Sequence, residues 1–168
     1  MTAAAQADYS DKRVILVDDN AALRGILRAA LQSFGFRRVM EADCVDSALE
    51  QLSRQRTDLV ITDWKMSPRD GLDLVRALRA PATSPAPFVP VIMLTAYSDG
   101  ERIKQARDAG ANAFLVKPFT AATLATTIRE AFEDKREFIT TADFFGPDRR
   151  ATPRKAEADH QPTFIAAS

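Results

Sequence analysis

Arg13-Val14-Ile15-Leu16-Val17 is, after its arginine, an apolar and largely β-branched run, and it stops abruptly at Asp18-Asp19-Asn20. A run of that kind reads as a strand buried on both faces. Asn20 is a suitable cap for the helix that follows, in which Leu23, Ile26, Leu27, Ala30, Leu31 and Phe34 recur at helical spacing until Gly35. The same unit then repeats. Arg38–Ala42 is a weaker second strand, and a helix from Asp46 or Ser47 to Arg54 follows it. Leu59-Val60-Ile61-Thr62 is a third strand ending at Asp63, and Gly71 opens a helix through Leu78. Pro81 to Pro87 holds three prolines in seven residues and is loop. Pro90 places the start of the fourth strand at Val91, and that strand ends at Thr95. Ser98 caps a helix to Ala109, stopped at Gly110. Ala113–Val116 is the fifth strand, ending at Lys117-Pro118, and Thr120 to about Phe138 is the fifth helix. Strands alternating with helices predict a parallel α/β sheet with right-handed crossovers.

The 168 residues suit one domain plus an extension. With 23 basic and 23 acidic side chains the formal charge is zero, which excludes broad, non-specific attraction to nucleic acid but leaves room for a local basic patch. Cys44 is the only cysteine, so no intrachain disulfide forms and a reducing, cytoplasmic setting is expected. Its place at a helix start reads as packing, not nucleophilic chemistry. Residues 1–10 are Ala-rich and polar, without the features of a secretion signal, and are expected to be disordered. No stretch approaches the ~18 apolar residues of a membrane span. After Phe138 the periodicity fails: residues 139–168 carry three prolines and read as a largely disordered tail, too short for a second domain.

In an open parallel α/β sheet, ligands bind at the carboxyl ends of the strands. Asp18 and Asp19 follow strand one, while Asp63, Thr95 and Lys117 end strands three, four and five. Folding therefore brings three carboxylates, a hydroxyl and an ammonium to one rim. Singly, each reads as a helix cap, a turn residue or a surface lysine; their joint placement points to chemistry. Clustered carboxylates require a cation, and a few hard oxygen ligands favour Mg²⁺. No His or Cys pair suggests zinc, and His160 reads as a solvated bystander. Asp63 is placed to attack a phosphoryl donor and form an aspartyl phosphate, with Lys117 offsetting charge on the transferring group.

These stretches (Val14 to Asn20, Thr62-Asp63-Trp64-Lys65-Met66, Asp70-Gly71, Leu94-Thr95-Ala96 and Lys117-Pro118-Phe119) strongly resemble the receiver domain of two-component response regulators, the CheY-like family. The resemblance covers about residues 11–138. It implies a flavodoxin-like (βα)5 doubly wound sheet of strand order 2-1-3-4-5, the order for which this family is a standard example. It further implies that Asp63 is the phosphoacceptor and that Asp18, Asp19, Asp63 and the backbone carbonyl of Lys65 hold Mg²⁺. Thr95 is then the switch hydroxyl, Lys117 the phosphate contact and Phe114 the switch aromatic, and the Lys117-Pro118 bond is cis. The expected partners are a sensor histidine kinase or phosphotransfer protein, and a target met through helix four, strand five and helix five. No DNA-binding output domain follows, so a stand-alone regulator signalling by protein contact is expected, not an enzyme. Ser67 stands where the family often has proline, and Lys65 adds a positive side chain near the site; neither departure removes a catalytic group.

The tail carries Asp148, Arg149, Arg150 and Arg154 behind two aromatics. Guanidinium forks bind phosphates and guanine edges, and a carboxylate accepts from guanine N–H groups. The segment resembles the arginine-rich tail of CheY-like cyclic di-GMP effectors that act on the flagellar motor. Three other readings compete with a phosphorylated module. One is a cyclic di-GMP effector with the tail as main input. Another is an aspartyl-phosphate phosphatase, although Asp63-Trp64-Lys65 lacks a second Asp to act as acid. The last is a nucleotide-cofactor protein, although Asp18-Asp19-Asn20-Ala21 forms no glycine-rich loop.

Overall fold

Strand β1 (Arg13–Val17) opens the alternating pattern and lies one strand in from an edge of the sheet. The computed structural model describes residues 8–96 and 100–150. Around β1 come α1 (Ala21–Ser33), β2 (Arg38–Ala42), α2 (Val45–Arg54), β3 (Leu59–Asp63), α3 (Gly71–Leu78), β4 (Val91–Thr95), α4 (Gly100–Ala109), β5 (Ala113–Val116) and α5 (Ala121–Glu133). The five strands are parallel in the order β2-β1-β3-β4-β5. This is the expected flavodoxin-like arrangement. Among the described residues no helix is long and apolar enough to cross a membrane.

The period-two geometry of the strands divides the core in two. Val14, Leu16, Leu59, Ile61, Ile92 and Leu94 face α1 and α5, where they meet Leu27, Leu31, Leu124 and Ile128. Ile15, Val17, Val60, Val91 and Met93 face the other way, onto Leu52 of α2, Leu74 and Val75 of α3 and Ala106 of α4. All five residues of β3 and of β4 are buried, which is why these strands read as unbroken apolar runs. Asn20 caps α1 by accepting from the Leu23 amide at 3.2 Å. Helix α2 begins one residue before the expected start, with Cys44 as N-cap and no side-chain bond there. Ser98, expected to cap the fourth helix, lies outside the described residues.

Three expectations about the chain ends are corrected. The fifth helix does not reach Phe138 but stops at Glu133. Tertiary bonds replace its continuation: Asp134 turns to ψ 106° and its carboxylate accepts from Asn112 Nδ2 at 3.0 Å and Arg136 Nη2 at 2.6 Å. The chain after Phe138 is not patternless from its start either. Strands β6 (Phe138–Thr140) and β7 (Phe145–Pro147) form an antiparallel hairpin. Its Phe138 and Phe145 close on Phe88, with ring centroids 5.1 and 5.4 Å away, and Phe144 is buried beside Gly110 and Gly146. At the other end Tyr9 belongs to the fold, stacked 4.5 Å from Phe36 and 5.5 Å from Phe132.

Arg79 locks this amino-terminal pole of the sheet. Its guanidinium is buried and donates to the carbonyls of Gly110, Pro87 and Val89 and to Asn112 Oδ1, at 2.8 to 3.0 Å. Its charge faces the Phe138 ring, 5.1 Å from the centroid. Burial lowers its pKa to about 10, which leaves it charged at neutral pH. Gly110 has φ +106°, and a Cβ there would meet the Arg79 side chain, so only glycine fits on both counts.

Asn112 passes the network on to Asp134 and Arg136. Burial acts to raise the Asp134 carboxyl, but the hydrogen bonds from Arg136 and Asn112 outweigh it and hold the pKa below 3.8. A carboxyl depressed in the folded state adds stability above its unfolded value and loses it as pH falls through the folded one. Asp134→Asn is therefore expected to be about 1–2 kcal/mol less stable than the parent at pH 7, and the two unfolding curves should converge below pH 3.8. Urea titrations across that range measure this; parallel curves at all pH values would contradict it.

Candidate metal and phosphoryl-acceptor site

The ladder that builds the sheet also builds the rim. Val17 pairs with Thr62 and with Ala42, so Asp18 leaves β1 beside the end of β3, where Asp63 stands. The Trp64 amide donates to the Leu94 carbonyl at 2.8 Å, and the Lys117 amide donates to the Thr95 carbonyl at 2.7 Å. Asp63, Thr95 and Lys117 thus end three neighbouring strands at one level. Carboxylate oxygens of Asp18, Asp19 and Asp63 all lie within 4.8 Å of one another. Lys117 Nζ reaches into the group, 2.7 Å from Asp63 Oδ1 and 3.9 Å from Asp18 Oδ2. Asp18, Asp63 and Thr95 are buried, whereas Asp19 is exposed.

The two oxygens of Asp18 differ. Oδ1 accepts from the Asn20 amide at 2.8 Å. Oδ2 is buried and has no hydrogen-bond partner. Burial raises the Asp18 carboxyl despite the Asn20 bond, and the charges of Asp63 and Asp19 raise it further against the pull of Lys117. An orphaned buried oxygen facing two further carboxylates is a donor set for a hard divalent cation.

The loop after β3 is shaped by its apolar residues. Trp64 and Met66 are buried against α3, which leaves Lys65 between them with its side chain outward. Gly71 then brings the start of α3 against the end of β3: its amide donates to Trp64 O at 2.7 Å, and a Cβ there would collide with the Asp63 carbonyl. Asp70 and Asp73 fix that helix start through a reciprocal capping box. The Lys117-Pro118 peptide is cis as expected, and Ser67-Pro68 is cis as well. Phe114 is half-buried against the α2–α3–α4 layer.

Residues 14–129 match the family model for the response regulator receiver domain. The chain belongs to that family. It is 39% identical over 121 residues to chemotaxis protein CheY-3 of Vibrio cholerae, spanning 72% of this chain and 92% of that one. It is 38% identical to chemotaxis protein CheY of Pseudomonas aeruginosa, spanning 72% and 96%. A solved receiver domain of a Pseudomonas aeruginosa sensor histidine kinase, with a magnesium ion coordinated in its active-site cleft, superposes with a TM-score of 0.65 at 29% identity, covering 73% and 98%. The protein is thus a CheY-like response regulator receiver, a signalling domain rather than a classical enzyme, and the Asp18–Asp19–Asp63 cluster fits an acidic pocket of the kind in which that solved receiver holds magnesium.

Sequence reading placed Asp18, Asp19, Asp63, Thr95 and Lys117 on one rim, where the structure brings them together, because each follows or ends a strand. It missed Arg24, whose Nη1 donates to the Asp18 carbonyl while Nε pairs with Glu41 at 3.2 Å. Nothing in a helix-face arginine signals that bond. The tail residues fall elsewhere. Asp148 and Arg150 pair at 3.0 Å, and Arg149 bonds Asp108 at 3.1 Å over the Phe144 ring. Arg154 lies outside the described residues.

Repulsion in the cluster costs the receiver stability when no cation is present. Asp18→Asn keeps an acceptor for the Asn20 amide and removes one negative charge. It is expected to raise metal-free stability by about 1 kcal/mol and to lose the midpoint rise that Mg²⁺ gives the parent. Thermal unfolding with and without Mg²⁺ checks both; a destabilised variant would mean that the carboxylates are not in conflict.

Proposed function

We propose that the protein is a single-domain response regulator that accepts a phosphoryl group on Asp63. The observation that carries this reading is Lys117 Nζ at 2.7 Å from Asp63, with two more carboxylates within 4.8 Å. A free Asp63 oxygen attacks the phosphorus of the donor, the new O–P bond forms, and the bond to the leaving group breaks with its electron pair. Lys117 supplies positive charge beside the oxygens of the transferred group. Asp18, Asp19, Asp63 and the Lys65 carbonyl would hold Mg²⁺, which would supply positive charge to offset that on the phosphoryl oxygens.

The phosphoryl group brings about −1.5 to −2 charges into a buried site. Thr95, at the end of β4, turns its hydroxyl to that group, and Phe114 turns inward behind it. This shifts the population of the α4–β5–α5 surface through which the target is met. The donor is a sensor histidine kinase or a phosphotransfer protein, and the protein works in the cytoplasm. The relatives that carry chemotaxis names make the flagellar switch the favoured target. Incubation with acetyl phosphate and Mg²⁺ is expected to add one phosphoryl group by intact mass. Asp63→Asn or chelation should abolish that addition. An unchanged mass in the parent would sink the proposal.

A second input is read at the tail, where Asp148, Arg149, Arg150 and Arg154 bind cyclic di-GMP. The hairpin holds Asp148, Arg149 and Arg150 together at the surface, and their present ion pairs are exchangeable, since exposed pairs are worth about 0–1 kcal/mol. In calorimetry we expect low-micromolar binding, roughly −8 kcal/mol, lost in Arg149→Ala/Arg150→Ala/Arg154→Ala. Absence of heat up to ~1 mM would leave Asp63 as the sole input.

A further inference from the structure

The amino-terminal pole of the sheet carries a shallow hollow of about 340 Å³ lined by Asp11, Lys12, Arg13, Arg38, Arg56 and Asp58. Four cations against two carboxylates leave it two positive charges in excess, on a chain whose formal charge is zero. Asp58 is already committed: Oδ2 accepts from the Arg13 amide at 2.9 Å and Oδ1 pairs with Arg56 at 3.5 Å. Lys12 Nζ lies 5.8 Å from the centroid of the Phe132 ring. Among the described residues, neither the Arg13 nor the Arg38 guanidinium has a hydrogen-bond or carboxylate partner.

Those two arginines are register partners at the first positions of β1 and β2. Neighbouring strands lie about 4.8 Å apart, so the two arginine side chains leave the sheet from adjacent positions and both line the hollow. An arginine fork meets phosphate oxygens bidentately, and two adjacent forks match two adjacent phosphoryl groups. We infer that this hollow binds a diphosphate, either free or as the diphosphate of a nucleotide, with Arg13 and Arg38 as its principal contacts. The site is remote from Asp63: the five residues of β1 separate it from the acidic rim by roughly 16 Å. It therefore stands whether or not Asp63 is phosphorylated.

The test is calorimetry on the full chain with sodium pyrophosphate, in chelator so that no metal–pyrophosphate complex enters the acidic rim. Pyrophosphate is expected to bind at least about tenfold more tightly than orthophosphate, a difference of about 1.4 kcal/mol. Arg13→Gln/Arg38→Gln, and Arg38→Gln alone on the exposed edge, should each weaken binding by roughly tenfold or more while circular dichroism and acetyl-phosphate labelling of Asp63 stay unchanged. A nucleoside diphosphate binding more tightly than pyrophosphate would assign the nucleotide as the source; equal affinity would assign the free anion. The inference is overturned if the arginine variants titrate like the parent, if no heat is seen, or if binding is instead lost in Arg149→Ala/Arg150→Ala.

Discussion

Asp18 is buried, ionisable and only half satisfied, and the rest of the molecule is arranged around that condition. One oxygen is held by the Asn20 amide and the other has no hydrogen bond, 3.9 Å from the Lys117 ammonium. Asp63 and Asp19 crowd it with like charge. A carboxylate in that position is unfavourable unless the fold leaves it no alternative. The fold does so through the sheet: Asp18 and Asp63 continue strands whose preceding residues are almost wholly buried, so neither can swing outward without unpairing β1 or β3.

The opposite pole shows the contrary design. There Arg79 is buried too, yet every bond it makes is to a neutral acceptor in good geometry. It ties the end of α3 to the loop before β4 and to the start of β5, and its aromatic cover comes from the hairpin. A satisfied buried cation stiffens one end of the sheet, while an unsatisfied carboxylate leaves the other responsive to a ligand. Polar networks separate in this way into those that specify structure and those that await chemistry.

The five βα units and the five residues of the rim were legible because both depend on local pattern. Apolar runs mark the strands, and in a parallel sheet whatever follows a strand lands on one edge. The parts that were not legible depend on contacts distant in sequence. The end of α5 is set by Asn112 reaching Asp134, 22 residues away. Strands β6 and β7 are three residues each and contain Gly146 and Pro147, so no alternation exists to be seen; Phe88, some fifty residues earlier, gives their aromatic face its purpose. Gly71 was read as a helix opener, whereas its lack of a side chain serves the close approach to the Asp63 carbonyl. Arg13 and Arg38 were each the polar start of a strand, and only the register sets them side by side.

The hairpin changes where this receiver ends. The family pattern stops at residue 129, within α5, yet packed structure continues past it through the β6–β7 hairpin. A chain cut at the family boundary would lose the last turn of α5, the carboxylate that anchors Asn112, and the rings that shield Phe88 and Arg79. Phe88 is 62% exposed even with those rings in place. The shortened protein would thus carry a bare aromatic surface beside a buried charge open to water, and its solubility and stability would report on the cut, not on the receiver. For this chain the unit of folding is longer than the unit of homology.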